Sequence, residues 1–398
     1  MPPYRPQIVP EFAVRSRIAS RVAGLQPSGI RKFFELVVGR PDILSLGVGE
    51  PDFSTPWVIR EQGIFSLEKG QTSYTSNQGD PHFRAVIAKW LRREMEVDYD
   101  PDTEILVTVG VSEALDLACR ALLEPGDEVL IPEPCFVSYP ALVELAGGVP
   151  ILVPTSLENR FIPRVEDLEQ LRSDRSRAVA LNFPGNPTGA TLTRKEMVPL
   201  VEWIIGNDLI LITDEIYSPL TYEGRHASFA AFPGMKDRTI LLHGLSKGWA
   251  MTGWRIGYAA APPDICAAMT KIHQYQIMCA PIMGQMAGIE ALERGDLDCA
   301  KMREEYSRRR RVMVQALNEM GLPCPLPNGA FYVFPSIRAT GLSSEEFAYR
   351  LLEKASVAVV PGNAFGPSGE GHIRACYATS LHHIEEAMER MARFVKSL

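Results

Sequence analysis

Lys247 lies in the segment Ser246-Lys247-Gly248-Trp249-Ala250-Met251-Thr252-Gly253-Trp254-Arg255-Ile256-Gly257, with Arg255 eight positions after it. A lysine flanked by small and hydroxyl-bearing residues can attack an aldehyde carbon and form an imine, which is covalent catalysis by an activated amine. A guanidinium close by offers a planar fork that matches phosphate oxygens. The pair therefore suits an aldehyde cofactor that carries a phosphate, as pyridoxal phosphate does. Taken singly, Lys247 reads equally as a solvated surface group, and Gly253-Trp254-Arg255 as the start of an ordinary strand. Other residues must decide.

Several candidates follow apolar runs. Asp214 comes directly after Leu209-Ile210-Leu211-Ile212-Thr213. A carboxylate there is costly to bury without a partner, and a protonated pyridinium nitrogen would be one; the alternative is a helix-capping aspartate. Tyr217, three residues on, would share a helical face with it and donate to a ring oxygen. Asn186, within Phe183-Pro184-Gly185-Asn186-Pro187-Thr188-Gly189, either aims its amide at the same oxygen or belongs to a plain turn. Gly110-Val111-Ser112 opens a helix whose N–H groups and hydroxyl favour an anion, or Ser112 is simply a capping serine. Phe136 stacks on a cofactor ring or packs in the core. Arg374, at a strand end in His372-Ile373-Arg374, holds a substrate carboxylate or forms a surface ion pair.

The elements that must position these groups are short apolar runs alternating with helical patterns between about residue 100 and residue 290. Glu104–Val109, Glu128–Ile131, Arg177–Asn182, Leu209–Thr213 and Thr239–His243 read as strands. Their continuous apolar character predicts a mainly parallel sheet covered by helices on both faces. Ligands of such sheets sit at the carboxyl ends of the strands, where the candidates fall. Beyond about residue 295 the pattern changes to a long charged helix over roughly 296–320, the run Phe331–Phe334, a further helix, Val357–Val360 and a last helix from about 380. This predicts a separate α+β lobe, with the Pro- and Gly-rich segment before Leu44 packed against it.

The chain has 398 residues, more than one compact core accommodates. A net charge of −7 argues against a nucleic-acid partner or an anionic membrane surface. The basic run Arg308–Arg311, beside Glu304 and Glu305, reads as a solvated helix face. Seven cysteines, none in CxxC spacing, fit reduced and mostly buried thiols, with no zinc site and no disulfide framework. No signal-peptide pattern and no membrane-spanning apolar run stands out, so a soluble, cytoplasmic protein is expected. A nicotinamide dehydrogenase is disfavoured, because no G-x-G-x-x-G follows a strand and Gly47-Val48-Gly49 lacks the third glycine.

In the order and spacing of Asn186, Asp214, Tyr217, Lys247 and Arg255, the chain resembles the class I/II aminotransferases of pyridoxal-phosphate fold type I. The resemblance runs from Leu46-Gly47-Val48-Gly49-Glu50-Pro51-Asp52-Phe53 to Arg374. It implies an α/β fold: a large domain over 45–290 with a mainly parallel, seven-stranded-type sheet between helices, and a smaller α+β domain from 1–44 and 291–398. It implies that Lys247 carries the cofactor as an imine and then shuttles a proton. Asp214 would pair with the pyridinium, and Tyr217 and Asn186 would bind the ring oxygen. Gly110, Val111, Ser112, Ser246 and Arg255 would bind the phosphate, with Phe136 stacked on the ring. Arg374, Asn186 and the backbone at Gly47 would hold the substrate's α-carboxylate. Tyr74 would reach the phosphate of a neighbouring subunit, making the active unit a homodimer with shared sites.

Two departures bear on substrate. Gly244 stands where some relatives have a serine, leaving Ser246 more of the phosphate contact. Ser112 stands where some aspartate-reading members have a lysine, which removes one reader of a distal carboxylate. The expectation is transfer of an amino group from a neutral, aromatic or modified diamino acid to a 2-oxo acid such as 2-oxoglutarate, ping-pong through pyridoxamine phosphate. The rivals are a carbon–sulfur β-lyase or an aminocyclopropane carboxylate synthase-like enzyme on the same scaffold, and a non-catalytic cofactor-binding regulator domain. The last is disfavoured because the acidic chain begins its fold within its first few tens of residues.

Overall fold

The computed structural model describes residues 17–25, 29, 39, 40 and 42–398. Its strands are β1 (Leu44–Ser45), β2 (Ile105–Thr108), β3 (Glu128–Glu133), β4 (Val149–Pro154), β5 (Ser176–Asn182), β6 (Ile210–Asp214), β7 (Thr239–Gly244), β8 (Gly257–Ala260), β9 (Tyr332–Val333), β10 (Val357–Ala358), β11 (Val360–Pro361) and β12 (Ile373–Cys376). Seven of them form one sheet in the order β2-β8-β7-β6-β5-β3-β4. Every pairing in it is parallel except those of β8, which runs antiparallel to β2 and β7. The result is the mainly parallel seven-stranded α/β sheet expected from the sequence.

The edge strand β2 and the central strands β6 and β7 are buried almost throughout because helices cover both faces. One face packs Leu106, Ile131, Ala180, Ile212 and Leu242 against the helix Gly110–Leu122 and its neighbours. The other packs Ile105, Val107, Leu241 and Tyr258 against the helices Pro81–Met95 and Ile282–Arg294. Local signals set the helix starts. Asp80 accepts from the backbone N–H groups of His82 and Phe83 ahead of a proline at the first helical position. Thr193 and Glu196 make a reciprocal capping box for Arg194–Gly206.

A second set of elements follows. The helix Asp296–Glu319 and the helix Leu381–Lys396 flank β11-β12-β9, an antiparallel three-stranded sheet. They share a core that includes Tyr306, Leu317, Phe331, Val333, Phe347, Ile373 and Met391. β1 pairs in parallel with β10, and the backbone N–H of Cys376 donates to the Leu46 carbonyl at 2.7 Å. Most of the segment before Leu44 lies outside the described residues. Among the described residues no helix is long and apolar enough to cross a membrane.

The arginine run departs from the expected solvated face. Arg308 and Arg311 are exposed, but Arg309 and Arg310 are buried. Arg309 Nη1 donates to both carboxylate oxygens of Asp52 at 2.9 and 2.8 Å, while its Nε donates to Glu305. Arg310 lies 4.3 Å over the Tyr222 ring and donates to the Pro327 carbonyl and to Glu223. The helix is wrapped on that side by the segments carrying Asp52 and Pro327, so two of the four cations face packed chain instead of water.

Candidate active site

The carboxyl ends of β2, β5, β6 and β7 converge on a cavity of about 310 Å³. Ten of the residues singled out from the sequence line it: Val111, Ser112, Phe136, Asn186, Asp214, Tyr217, Ser246, Lys247, Arg255 and Arg374. Gly47 and Gly110 stand directly behind that lining. Tyr74 does not join them; it is 80% exposed and not part of this cavity's lining.

Lys247 follows β7 by three residues. Its Nζ donates to the Gly49 carbonyl at 2.7 Å and lies 5.9 Å from the centre of the Tyr217 ring. Burial lowers its ammonium to a pKa of about 8, so the free amine forms at a lower pH than in an ordinary lysine. Asp214 closes β6 and is buried. Its Oδ2 accepts from Tyr139 Oη at 2.8 Å and its Oδ1 from the Ile216 N–H at 3.1 Å. Burial raises the carboxyl to about 6 in spite of those two donors, which lower it. A cation placed against it would relieve that cost.

No α-helix starts at Asp214. The chain runs through a turn into a short 3₁₀ segment, Ser218–Leu220, so the capping role fails and Tyr217 owes its position to this turn, not to a shared helical face. Its hydroxyl lies 2.8 Å from that of Tyr332. Ser112 is not a cap either: Val109 holds that position and its side chain makes no cap bond, and Ser112 is the third residue of the helix Gly110–Leu122. Glu113 Oε2 accepts from the Val109 N–H, which leaves the N–H groups of Gly110 to Ser112 uncapped by that carboxylate. The first-turn N–H groups and the Ser112 hydroxyl thus face the cavity beside Arg255, an arrangement that favours an anion. Gly110 is needed for this fit, since a Cβ there would lie 2.5 Å from Arg255 Nη2. Gly244 is equally hemmed in, with the Gly257 Cα and the Ile256 carbonyl each 3.0 Å from an added Cβ, which leaves little room for a serine.

Arg374 lies inside β12 and is 2% exposed, so a surface ion pair is ruled out. Its Nη1 donates to Asn186 Oδ1 at 2.9 Å and its Nη2 to the Gly47 carbonyl at 2.6 Å. Its guanidinium sits between the Tyr332 and Phe365 rings, 4.5 and 4.8 Å from their centres. Among the described residues Nε has no partner, which leaves donor capacity for a carboxylate. With Asn186 Oδ1 engaged by Arg374, the donor half of that amide is what it offers a ligand.

Sequence reasoning missed Tyr139, Asn182, Gly49 and Tyr332. Asn182 Nδ2 donates to the Asp214 carbonyl at 2.8 Å, and its Oδ1 accepts from the Asn186 N–H at 2.9 Å, tying β5, β6 and the Asn186 turn together. Tyr139 and Tyr332 gain their places through contacts 75 and 115 residues away in the chain, which no local pattern encodes.

A flat aromatic ring bearing an aldehyde, a phenol oxygen, a basic nitrogen and a phosphate fits this donor set. The amine of Lys247 suits the aldehyde, and the partner-seeking carboxylate of Asp214 suits the ring nitrogen. Arg255 with the uncapped helix end suits the phosphate, and Phe136 offers a ring face. Fold and site together define an enzyme that handles amino groups through pyridoxal phosphate. The family model for aminotransferases of class I and II matches residues 41–391, and the chain belongs to that family. It is 50% identical over 380 residues to a putative aminotransferase of Bacillus subtilis, covering 96% of this chain and 98% of that one. It is 44% identical to the aspartate aminotransferase of Pyrococcus abyssi, covering 95% and 98%. The solved aromatic aminotransferase of Pyrococcus horikoshii superposes with a TM-score of 0.88 at 46% identity, over 92% of this chain and 99% of that one. The protein is therefore a pyridoxal phosphate-dependent aminotransferase.

Proposed function

We propose that this aminotransferase takes its amino group from a neutral or aromatic L-amino acid, or a modified diamino acid, in preference to aspartate, and passes it to a 2-oxo acid such as 2-oxoglutarate. The observation that carries this reading is the cation content of the cavity. Among the described residues lining it, the cations are Lys247, Arg255 and Arg374. With the first assigned to the aldehyde and the second to the phosphate, Arg374 alone remains for a substrate carboxylate. Tyr332 and Phe365 supply aromatic surface around it. The distal carboxylate of 2-oxoglutarate then reaches the cavity mouth, beyond these residues. Similarity to both aspartate and aromatic enzymes agrees with a site that accepts both kinds of acid.

The bound cofactor supplies an aldehyde carbon that condenses with amines and a ring that accepts an electron pair. The chain does the rest. Arg374 and Asn186 fix the α-carboxylate and so set which α-carbon bond faces Lys247. Lys247 Nζ would take the α-proton and deliver it to the cofactor carbon that carried the aldehyde, a general acid–base role that a pKa of about 8 serves well. Asp214 holds a proton on the ring nitrogen. Tyr217 and Asn186 donate to the ring oxygen. Arg255, Ser246, Ser112 and the N–H groups at Gly110 and Val111 hold the phosphate, and Phe136 packs on the ring.

The active unit is a homodimer. Its support is the exposure of large apolar side chains, among them Trp57 (58%), Tyr74 (80%) and Tyr275 (89%). Tyr74 extends to the partner's phosphate. We assign residues 45–290 to the large domain and 291–398 to the small one, with the segment 1–44, most of which lies outside the described residues, joined to the latter on the strength of the pairing of Leu44 in β1 with β10. Seven unpaired cysteines suit a reducing cytoplasm. A panel of amino donors in single turnover, followed by the cofactor's visible absorbance, tests the substrate assignment. Aromatic and neutral donors should bleach it faster than aspartate at equal concentration; an aspartate rate well above all others would overturn it. Lys247→Ala should abolish both turnover and the visible absorbance of the lysine-bound cofactor.

A further inference from the structure

Tyr217 and Tyr332 share one short hydrogen bond, Oη to Oη at 2.8 Å, and both are buried, at 4% and 1% exposure. Two hydroxyls in one bond leave one hydrogen over, and which tyrosine donates decides where that hydrogen points. The surroundings break the tie. The Arg374 guanidinium lies 4.5 Å from the centre of the Tyr332 ring, so its charge favours loss of the Tyr332 proton. Burial pushes both phenols up and the Arg374 charge opposes it at both, more strongly at Tyr332, whose ring the guanidinium overlies. The groups facing the two hydroxyls are Arg374 and Cys376 from β12, Asp214 from β6, and Lys247, whose Nζ lies 5.9 Å from the Tyr217 ring centre. The more acidic phenol is the better donor.

We propose that Tyr332 is a positioning residue: it donates its hydroxyl hydrogen to Tyr217 and thereby turns the Tyr217 hydrogen into the cavity, onto the cofactor's ring oxygen. This rests on the assignment of Tyr217 to that oxygen. The placement of Tyr332 is well determined. β9 pairs with β12, setting Tyr332 opposite Cys376, two residues from Arg374. On its other side a Cβ added at Gly49 would lie 2.5 Å from the Tyr332 hydroxyl, so the loop that meets Lys247 also closes over it. A hydrogen bond received by Tyr217 polarises the one it gives, because bonds in such a chain strengthen each other. The Arg374 charge that orders the carboxylate end thus also sharpens the donor at the ring-oxygen end.

The experiment is a pH titration of the bound cofactor's visible absorbance in the holoenzyme, with Tyr332→Phe, Tyr217→Phe and the double variant, and with melting temperatures alongside. A donor on the ring oxygen stabilises the deprotonated chromophore, so weakening it moves the midpoint up. Tyr332→Phe should raise the midpoint by roughly half to one pH unit, the scale of one net hydrogen bond. Tyr217→Phe should raise it by at least as much, and the double variant should match Tyr217→Phe, since Tyr332 acts only through Tyr217. Replacing Tyr332 with 3-fluorotyrosine, a more acidic phenol of nearly the same shape, should move the midpoint down. Affinity for 3-phenylpropionate, which tests Arg374, should stay within about twofold in Tyr332→Phe because the ring beneath the guanidinium remains. No midpoint change on Tyr332→Phe, or one that persists in the Tyr217→Phe background, overturns the inference, even if the melting temperature falls. No change on Tyr217→Phe itself would instead sink the assignment of Tyr217.

Discussion

Arg374→Lys keeps the charge of the carboxylate anchor and removes its fork. In the native site two guanidinium nitrogens are spent on Asn186 Oδ1 and the Gly47 carbonyl, and the plane is stacked between Tyr332 and Phe365. An ammonium at the end of a flexible stem keeps one of those directions at a time and loses the stacked plane. One charge-assisted hydrogen bond lost from a buried site costs about 1.5–3 kcal/mol, and the weaker ring contact about 1 kcal/mol more. At 1.36 kcal/mol per decade this lowers kcat/KM by on the order of 10²–10³-fold. Both half-reactions involve an α-carboxylate, so kcat/KM for the amino donor and for the oxo acid should fall together. The cofactor should stay bound, because Arg255 and the helix end at Gly110 keep their hold on the phosphate, while the pH midpoint of its absorbance shifts through Tyr332 and Asn186. The measurement is steady-state kinetics with each substrate varied in turn. A loss below about threefold for both substrates would refute the reasoning, as would a loss confined to one of them.

Other predictions follow from the same geometry. Burial holds Lys247 at about 8, below the ordinary lysine range, so the cofactor-free protein should add an aromatic aldehyde at a rate that climbs through pH 8 and levels off above it. Because the folded protein binds fewer protons there than the unfolded chain, its denaturant midpoint should also rise between pH 8 and the ordinary lysine value, an advantage absent below that window. Asp214→Asn should leave the cofactor bound but lower kcat by on the order of 10²-fold, read in single turnover, since a neutral amide cannot hold charge on the ring nitrogen. Gly110→Ala should weaken cofactor retention about tenfold in equilibrium dialysis, because φ there is +72° and the new methyl meets the Arg255 guanidinium.

The strands at the heart of the sheet were legible because they are apolar end to end. β4 and β8 give weaker signals. Val149-Pro150-Ile151-Leu152-Val153-Pro154 carries two prolines and is partly exposed, which an edge strand tolerates and a central one does not. Gly257-Tyr258-Ala259-Ala260 is four residues of mostly small side chains, and its place between β2 and β7 is fixed by tight approach: a Cβ on Gly257 would lie 2.5 Å from the Gly110 carbonyl carbon. Lys247, Asp214, Asn186 and Arg255 could be found because each belongs to a local string with its own chemical logic. Tyr139, Asn182 and Tyr332 could not, since ordinary aromatic and amide residues become part of the site only through folding. The buried Arg309 and Arg310 misled for the same reason: their partners Asp52 and Glu223 are 257 and 87 residues distant.

The loop from Gly47 to Gly49 lends its carbonyls to both Arg374 and Lys247. Those backbone oxygens act as placeholders, keeping each positive group partnered between visits. An arriving acid therefore trades one set of bonds for another instead of simply adding new ones, and its net grip is modest. Departure is correspondingly easy, because the loop takes back what the product gives up. Such an exchange suits a catalyst that must release one acid before admitting the next and run in either direction.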